Sequence, residues 1–164
     1  MARTPQANLI PLSSLAEWSI QHIHDVFEAS SDELSLRAIE DTFARTLTAS
    51  LNGTPLDFDG ICALVRAMRH SAAPSGLSVK WSRADSTPDD PGNRNGLLVG
   101  EYRIRGIWRS VTPSSDSMTE FERHKKVVVR IQSQSHQAGV DSRRIVKLDI
   151  VASDVQVDSG RGVS

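Results

Sequence analysis

Apolar positions follow helical spacing through the first half of the chain and strand spacing through the second. Leu15, Trp18, His22 and Val26 share one stripe, with Ile23 and Phe27 on its flank, which predicts a helix running to about Glu28. Ser14-Leu15-Ala16-Glu17 fits a capping box, in which each side chain satisfies a backbone N–H that the first turn leaves orphaned. Ser30-Ser31-Asp32-Glu33 offers a second cap, and Leu36, Ile39 and Phe43 follow at helical spacing. At Thr46 the period drops to two: Leu47, Ala49 and Leu51 alternate with Thr48 and Ser50, a strand signal. Asn52-Gly53 comes next, and both residues tolerate the positive φ of a two-residue hairpin. Pro55 limits the return strand to a short edge position. Asp57 or Asp59 can cap a helix with the stripe Ile61, Leu64, Val65 and Met68, closed by Pro74 and Gly76.

Four strand patterns remain. Leu77, Val79 and Trp81 alternate with Ser78, Lys80 and Ser82. After a turn-rich connector over 86–96, residues 97–110 form a long strand with Leu98, Tyr102, Ile104 and Trp108 on one face and Glu101, Arg103, Arg105 and Arg109 on the other. Gly100 and Gly106 fall in the apolar register and mark a bulge or sharp bend. In the next strand, counting back from Val127, Val129 and Ile131 places Phe121, Arg123 and Lys125 inward and His124 outward; a bulge within His124-Lys125-Lys126 would turn His124 inward. The last strand buries Val146, Leu148, Ile150 and Ala152. Helices first, a hairpin, then an antiparallel run make an α+β fold: a strongly curved antiparallel sheet wrapped around N-terminal helices. Strands of this length would span about 45 Å if straight, so they must curl within one small domain. That domain covers residues 13–155, with flexible termini at 1–12 and 156–164.

The ordered set of SIQHIHDVFEA, ARTLTASLNGTPLDFDGICALVRAM, ERHKKVVVRI and RRIVKLDIVASD resembles the nuclear transport factor 2-like superfamily, also called the cystatin-like or SnoaL-like cone. The resemblance covers about residues 13–155 and implies a cone with an internal pocket between the concave sheet face and the first and third helices. Relatives include cofactor-free isomerases, dehydratases and cyclases, and also transport factors and adaptors without catalysis, so fold does not give function.

Composition narrows the classes. The chain has 164 residues, 38% hydrophobic and 24% charged, which suits one soluble domain. Its net charge of −1 argues against a general nucleic-acid or anionic-membrane binder. The lone cysteine, Cys62, closes neither a disulfide nor a cysteine-based zinc site. The N-terminal MARTPQANLIPLSS lacks a signal-peptide core, and no apolar run approaches a membrane span, so a cytoplasmic protein is expected. No Walker, GxSxG, HExxH or GxGxxG motif is present.

The candidate chemistry follows from these patterns. His22 sits in the first helix's stripe, one turn from Trp18 and near Asp25, where an imidazole beside a carboxylate could act as general base; the bland alternative is a core histidine bonded to a backbone carbonyl. His24 lies on the other side of the helix, so the two are not a metal pair and no metal site is expected. Tyr102 offers a hydroxyl as hydrogen-bond donor, and the expected pocket is lined by Trp18, His22, Trp81, Tyr102, Ile104, Trp108 and His124, against the alternative that these aromatics are simply core. Arg103, Arg105, Arg109 and Arg130 could form an anion stripe, but a solvated or dimer-facing sheet surface fits a non-basic chain better. The resemblance implies an Asp or Glu projecting into the cone, and no strand register supplies one. Two functions compete: a cofactor-free domain binding a small apolar or planar ligand, with isomerase, dehydratase or cyclase chemistry on His22 and Tyr102, or a non-catalytic interaction module dimerising through the outer sheet face. The first needs a cavity near ~300 Å³.

Overall fold

The computed structural model describes residues 11–114, 116–137 and 139–157, so most of the two expected loose termini lies outside it. Helix α1 (Leu15–Glu28) opens on the capping box: Ser14 Oγ accepts from the Glu17 amide at 3.0 Å, and the Glu17 carboxylate accepts from the Ser14 amide at 3.4 Å. Ser31 caps α2 (Asp32–Thr42). Asp57 caps α3 (Phe58–His70), accepting from the Gly60 amide at 2.8 Å. Helical spacing overreaches at one point. Leu36 is exposed, α2 buries Ser35, Ile39 and Thr42 instead, and Phe43 already belongs to strand β1 (Phe43–Leu51). The β-branched and aromatic residues from Thr42 onward favour the extended form once a partner strand is available.

That partner is the last strand. With β2 (Thr54–Leu56), β3 (Ser78–Pro88), β4 (Gly96–Ser110), β5 (Met118–Ser133) and β6 (Arg143–Gln156), the chain builds one six-stranded sheet in the order β2-β1-β6-β5-β4-β3. Strands β3 to β6 form the expected antiparallel meander. Strand β1 lies parallel to β6, so the sheet is mixed and not wholly antiparallel. Alternation along a strand carries no information about its neighbour's direction, which is why the sequence does not reveal this pair. The hairpin turn has φ of 50° at Asn52 and 84° at Gly53. The Asn52 side chain then bonds Ala152 on both sides, donating to its carbonyl at 3.1 Å and accepting from its amide at 2.8 Å, and so ties the hairpin to β6.

Gly106 sets the shape of the long strand. Its φ is 92°, and the β4–β5 register slips between Ile104 and Ile107. The loop after α3 clamps this bulge: Ala73 N–H donates to the Gly106 carbonyl at 2.8 Å, and Trp108 N–H to the Ser71 carbonyl at 2.9 Å. Beyond the bulge the alternation changes phase. Ile107 is buried against Phe121, and Trp108 turns to the convex face, 40% exposed.

One buried polar side chain fastens the other end. Arg143, 1% exposed, donates to the Asp141 carboxylate at 2.8 and 2.9 Å, to the Ser13 carbonyl at 2.7 Å and to the Asn93 carbonyl at 3.1 Å. No helix is long and apolar enough to cross a membrane among the described residues.

Candidate functional site in the concave face of the sheet

Strand register lays the site out in rows across the sheet. Trp81 on β3 pairs with Tyr102 on β4, Tyr102 with Lys125 on β5, and Lys125 with Ala152 on β6. Trp81 and Tyr102 meet with ring centroids 4.6 Å apart. The indole lies over Gly100, where a Cβ would fall 2.7 Å from its Cζ3 atom, so this glycine is what gives the ring its place. Helix α1 closes the row from above with Ser19, Ile23 and Phe27, and α3 with Ile61, Leu64 and Val65. They enclose an apolar cavity of about 40 Å³. That is room for about one water molecule and far below the ~300 Å³ at which ligand pockets begin. The cone is filled by its own side chains.

The polar groups in this lining are unusual. Ser19 is 1% exposed, and among the described residues neither its Oγ nor the buried Nε1 of Trp81 has a hydrogen-bond partner. Lys125 is 4% exposed. Its ammonium sits 4.9 Å from the Phe27 ring centroid and 5.7 Å from that of Tyr102, with no carboxylate among the described residues at ion-pair distance. Burial pushes it down to about 7; Arg123 pushes the same way, and Asp154 offsets this only in part. Burial raises the Tyr102 phenol above its ordinary value, so it remains a donor at neutral pH.

The next row outward is charged. Arg123 donates to Asp154 at 2.7 and 3.0 Å, and Arg109 reaches the same carboxylate at 2.8 Å. The hydrogen bonds from Arg123 hold the Asp154 carboxyl below the usual range, with Arg109 adding to them against an opposing burial effect. Asp154 is the inward carboxylate that sequence reasoning missed. It lies two residues past Ala152 on the same face, where continuing the alternation reaches it.

No family model matches the sequence, and no curated protein sequence matches it. Solved structures do. A nuclear transport factor 2-like protein of unknown function in nutrient uptake from Rhodospirillum rubrum superposes with a TM-score of 0.58 at 13% identity, covering 84% of this chain and 97% of that one. A LinA-type hexachlorocyclohexane dehydrochlorinase from Novosphingobium barchaimii gives 0.56 at 9% identity, covering 87% and 92%. A conserved protein from Planctomyces limnophilus gives 0.52 at 10% identity, covering 86% and 96%.

The chain has the nuclear transport factor 2-like fold.

Within this cone, the expected pocket residues separate into two groups. Tyr102 and Trp81 line the cavity. Ile104 is fully buried on the concave face but packed in the core, away from the cavity. Trp18 is buried outside the cavity, between the His22 ring, stacked at 4.2 Å, and the Arg143 guanidinium at 5.5 Å. His22 is half-buried and faces the groove between α1 and α2; its Nδ1–H donates to the Trp18 carbonyl at 2.8 Å, the bland alternative. The helix rotates it away because Ser19, Ile23 and Phe27 take the cavity side. Trp108 is turned out by the Gly106 bulge. His124 also points out, its Nε2 bonded to Glu122 at 2.8 Å, because strict alternation holds from Phe121 to Val127 and no bulge intervenes.

The arginines divide likewise. Arg103 and Arg105 pair with Glu122 on the convex face at 3.7 and 2.9 Å, Arg130 pairs with Asp89 at 2.6 Å, and only Arg109 joins the concave row. They do not form one anion stripe. Burial raises the Cys62 thiol, which makes it a poor nucleophile. Among the described residues, no three His, Cys, Asp or Glu side chains gather in a metal-holding group.

Proposed function

We propose that the protein binds a small apolar molecule bearing an acceptor oxygen, a carbonyl or carboxylate, inside its cone. One observation carries this: Ser19, Trp81 and Lys125 bring polar donors into the lining of an otherwise apolar cavity. Among the described residues, Ser19 Oγ and Trp81 Nε1 have no hydrogen-bond partner and Lys125 has no carboxylate partner. A core built only for stability gains from replacing such groups with Ala, Phe and Met, because an unmet buried donor carries its full desolvation cost. All three residues belong to the lining of the same cavity, and the other side chains around it, Tyr102 apart, are apolar.

The cavity of about 40 Å³ falls short of the ~300 Å³ this reading needs, so the reading requires the cone to open before it admits even one ring. Leu56, Leu64 and Trp81 are the half-buried members of the lining and the ones free to yield. Any proton transfer of the isomerase or dehydratase kind falls to Lys125 and Tyr102, since His22 faces away. A cytoplasmic setting agrees with the single cysteine. The test is a melting-temperature and tryptophan-fluorescence titration with acetophenone and benzoate. Binding should raise the melting temperature with the logarithm of the ligand excess and perturb the Trp81 emission, and Trp81→Phe with Ser19→Ala should weaken it. No stabilisation by either compound at millimolar concentration overturns the proposal.

A second reading rests on the convex face. Val99 and Val128 are register partners there, both exposed, with Val151 a diagonal step away at 62% exposure. This patch suits a homodimer with two outer sheet faces apposed. Sedimentation equilibrium should give a dimer that Val128→Asp dissociates, and a strict monomer at high concentration removes this reading.

A further inference from the structure

We propose that Lys125 is a nucleophilic amine that captures small apolar aldehydes or ketones as an imine within the cone. The inference rests on the ligand-binding reading and gives it a substrate class. Lys125 is the one lysine of four that is buried; Lys80, Lys126 and Lys147 are exposed. Its nitrogen lies among side chains that line the cavity, between the Phe27 and Tyr102 rings. The titratable and charged groups around it are Tyr102 on β4, Arg123 on β5 and Asp154 on β6, while α1 presents Phe27 and Ser19. Asp154 is already held by Arg123 and Arg109, so it is a weak counter-charge for the lysine. Ring faces alone compensate a buried ammonium poorly, and the neutral amine is favoured near neutral pH.

A neutral amine in an apolar pocket is what imine formation requires. The Nζ lone pair adds to the carbonyl carbon, a C–N bond forms as the C=O π bond breaks, and one of the two Nζ protons passes to the oxygen to give a neutral carbinolamine. That hydroxyl leaves with a proton as water, Nζ gives up its remaining proton, and C=N is complete. No oxidant or reductant is consumed. Ser19 Oγ, Trp81 Nε1 and the Tyr102 phenol are the donors available to the oxygen on its way to becoming water. Among the described residues the Ser19 hydroxyl and the Trp81 indole N–H have no other partner, which leaves both free for this role.

The experiment exposes the intact protein at pH 7.5 to benzaldehyde or propanal with cyanoborohydride, whose hydride reduces an imine to a stable secondary amine. Intact-mass analysis and peptide mapping locate the adduct. Lys125 should be modified at least about tenfold faster than the adjacent exposed Lys126. Lys125→Arg, which keeps the charge and loses the nucleophile, should abolish the fast phase. Toluene and benzyl alcohol, with the same apolar body and no carbonyl, separate the two ideas. If either raises the melting temperature while benzaldehyde labels only exposed lysines, the amine role is overturned and the pocket survives. If none of these compounds stabilises the protein and Lys125 stays unmodified, both fall.

Discussion

Replacing Lys125 with Met should stabilise the protein at neutral pH and remove most of its pH dependence between pH 6 and 9.5. The group falls from 10.5 to about 7 on folding, and burial is the main cause. Below pH 7 both states carry the proton, and the folded state bears the full cost of a buried charge, roughly 5 kcal/mol from a shift of this size. Above 7 the folded protein sheds a proton that the unfolded chain keeps, so stability rises with pH until the unfolded amine also titrates. The same linkage gives a residual cost of roughly 4 kcal/mol at pH 7 and about 1 kcal/mol at pH 9.5, a rise of about 3 kcal/mol across that window. Relaxation of the site makes these upper values, and the lost contacts with Phe27 and Tyr102 return about 1 kcal/mol.

Met fills nearly the same volume without charge. Urea unfolding followed by tryptophan fluorescence at pH 6, 7, 8, 9 and 9.5 gives both curves. The upper limit stays below the range in which the Tyr102 phenol, itself raised by burial, would add an opposing trend. The difference between Met variant and wild type should be largest at pH 6 and shrink steadily toward pH 9.5. Parallel curves, or a variant less stable than wild type at pH 6, would refute the claim that Lys125 is a buried and poorly compensated cation.

The fold was legible because its signals are local. Capping residues, the Asn52-Gly53 turn, the Pro55 edge and the switch from helical to alternating period each state their consequence within a few residues. The site was less legible because it depends on phase. One glycine with φ of 92° shifts β4 by a residue, sending Trp108 out and Arg109 in, and alternation read straight through Gly106 reverses both. The slip between Arg130 and Ile131 likewise places Ile145 in the core where alternation chooses Val146. His22 was misplaced for a different reason. The helical stripe through Leu15, Trp18 and Val26 is buried, but the side of the helix that lines the cavity is the neighbouring one, Ser19, Ile23 and Phe27. Lys125 was correctly counted inward, yet its charge hid its importance: a lysine at an inward position reads as a register anomaly until the packing shows it between two rings, with Asp154 only a partial counter-charge.

Three further perturbations address the frame and the lining. Gly106→Val forces a β-branched residue into positive φ and should cost at least about 2–3 kcal/mol in urea unfolding, with a blue shift of Trp108 emission if the bulge relaxes inward. Ser19→Ala removes an unpartnered buried hydroxyl and should leave stability unchanged or raise it by up to about 1 kcal/mol, whereas a comparable loss would mean that the hydroxyl has a partner. Arg143→Met tests how the amino-terminal segment is held. The guanidinium is 1% exposed and is shared among Ser13, Asn93 and Asp141, so one side chain joins the approach to α1, the β3–β4 loop and the start of β6. Removing it takes this donor from the Ser13 and Asn93 carbonyls and leaves Asp141 without its main partner. The expected loss is about 3–5 kcal/mol, the range for breaking a buried charged network. Lys at this position should recover little, because it cannot present the planar fork that reaches all three groups. A loss below about 1 kcal/mol, as for an exposed ion pair, would show that the amino-terminal segment holds its place without Arg143.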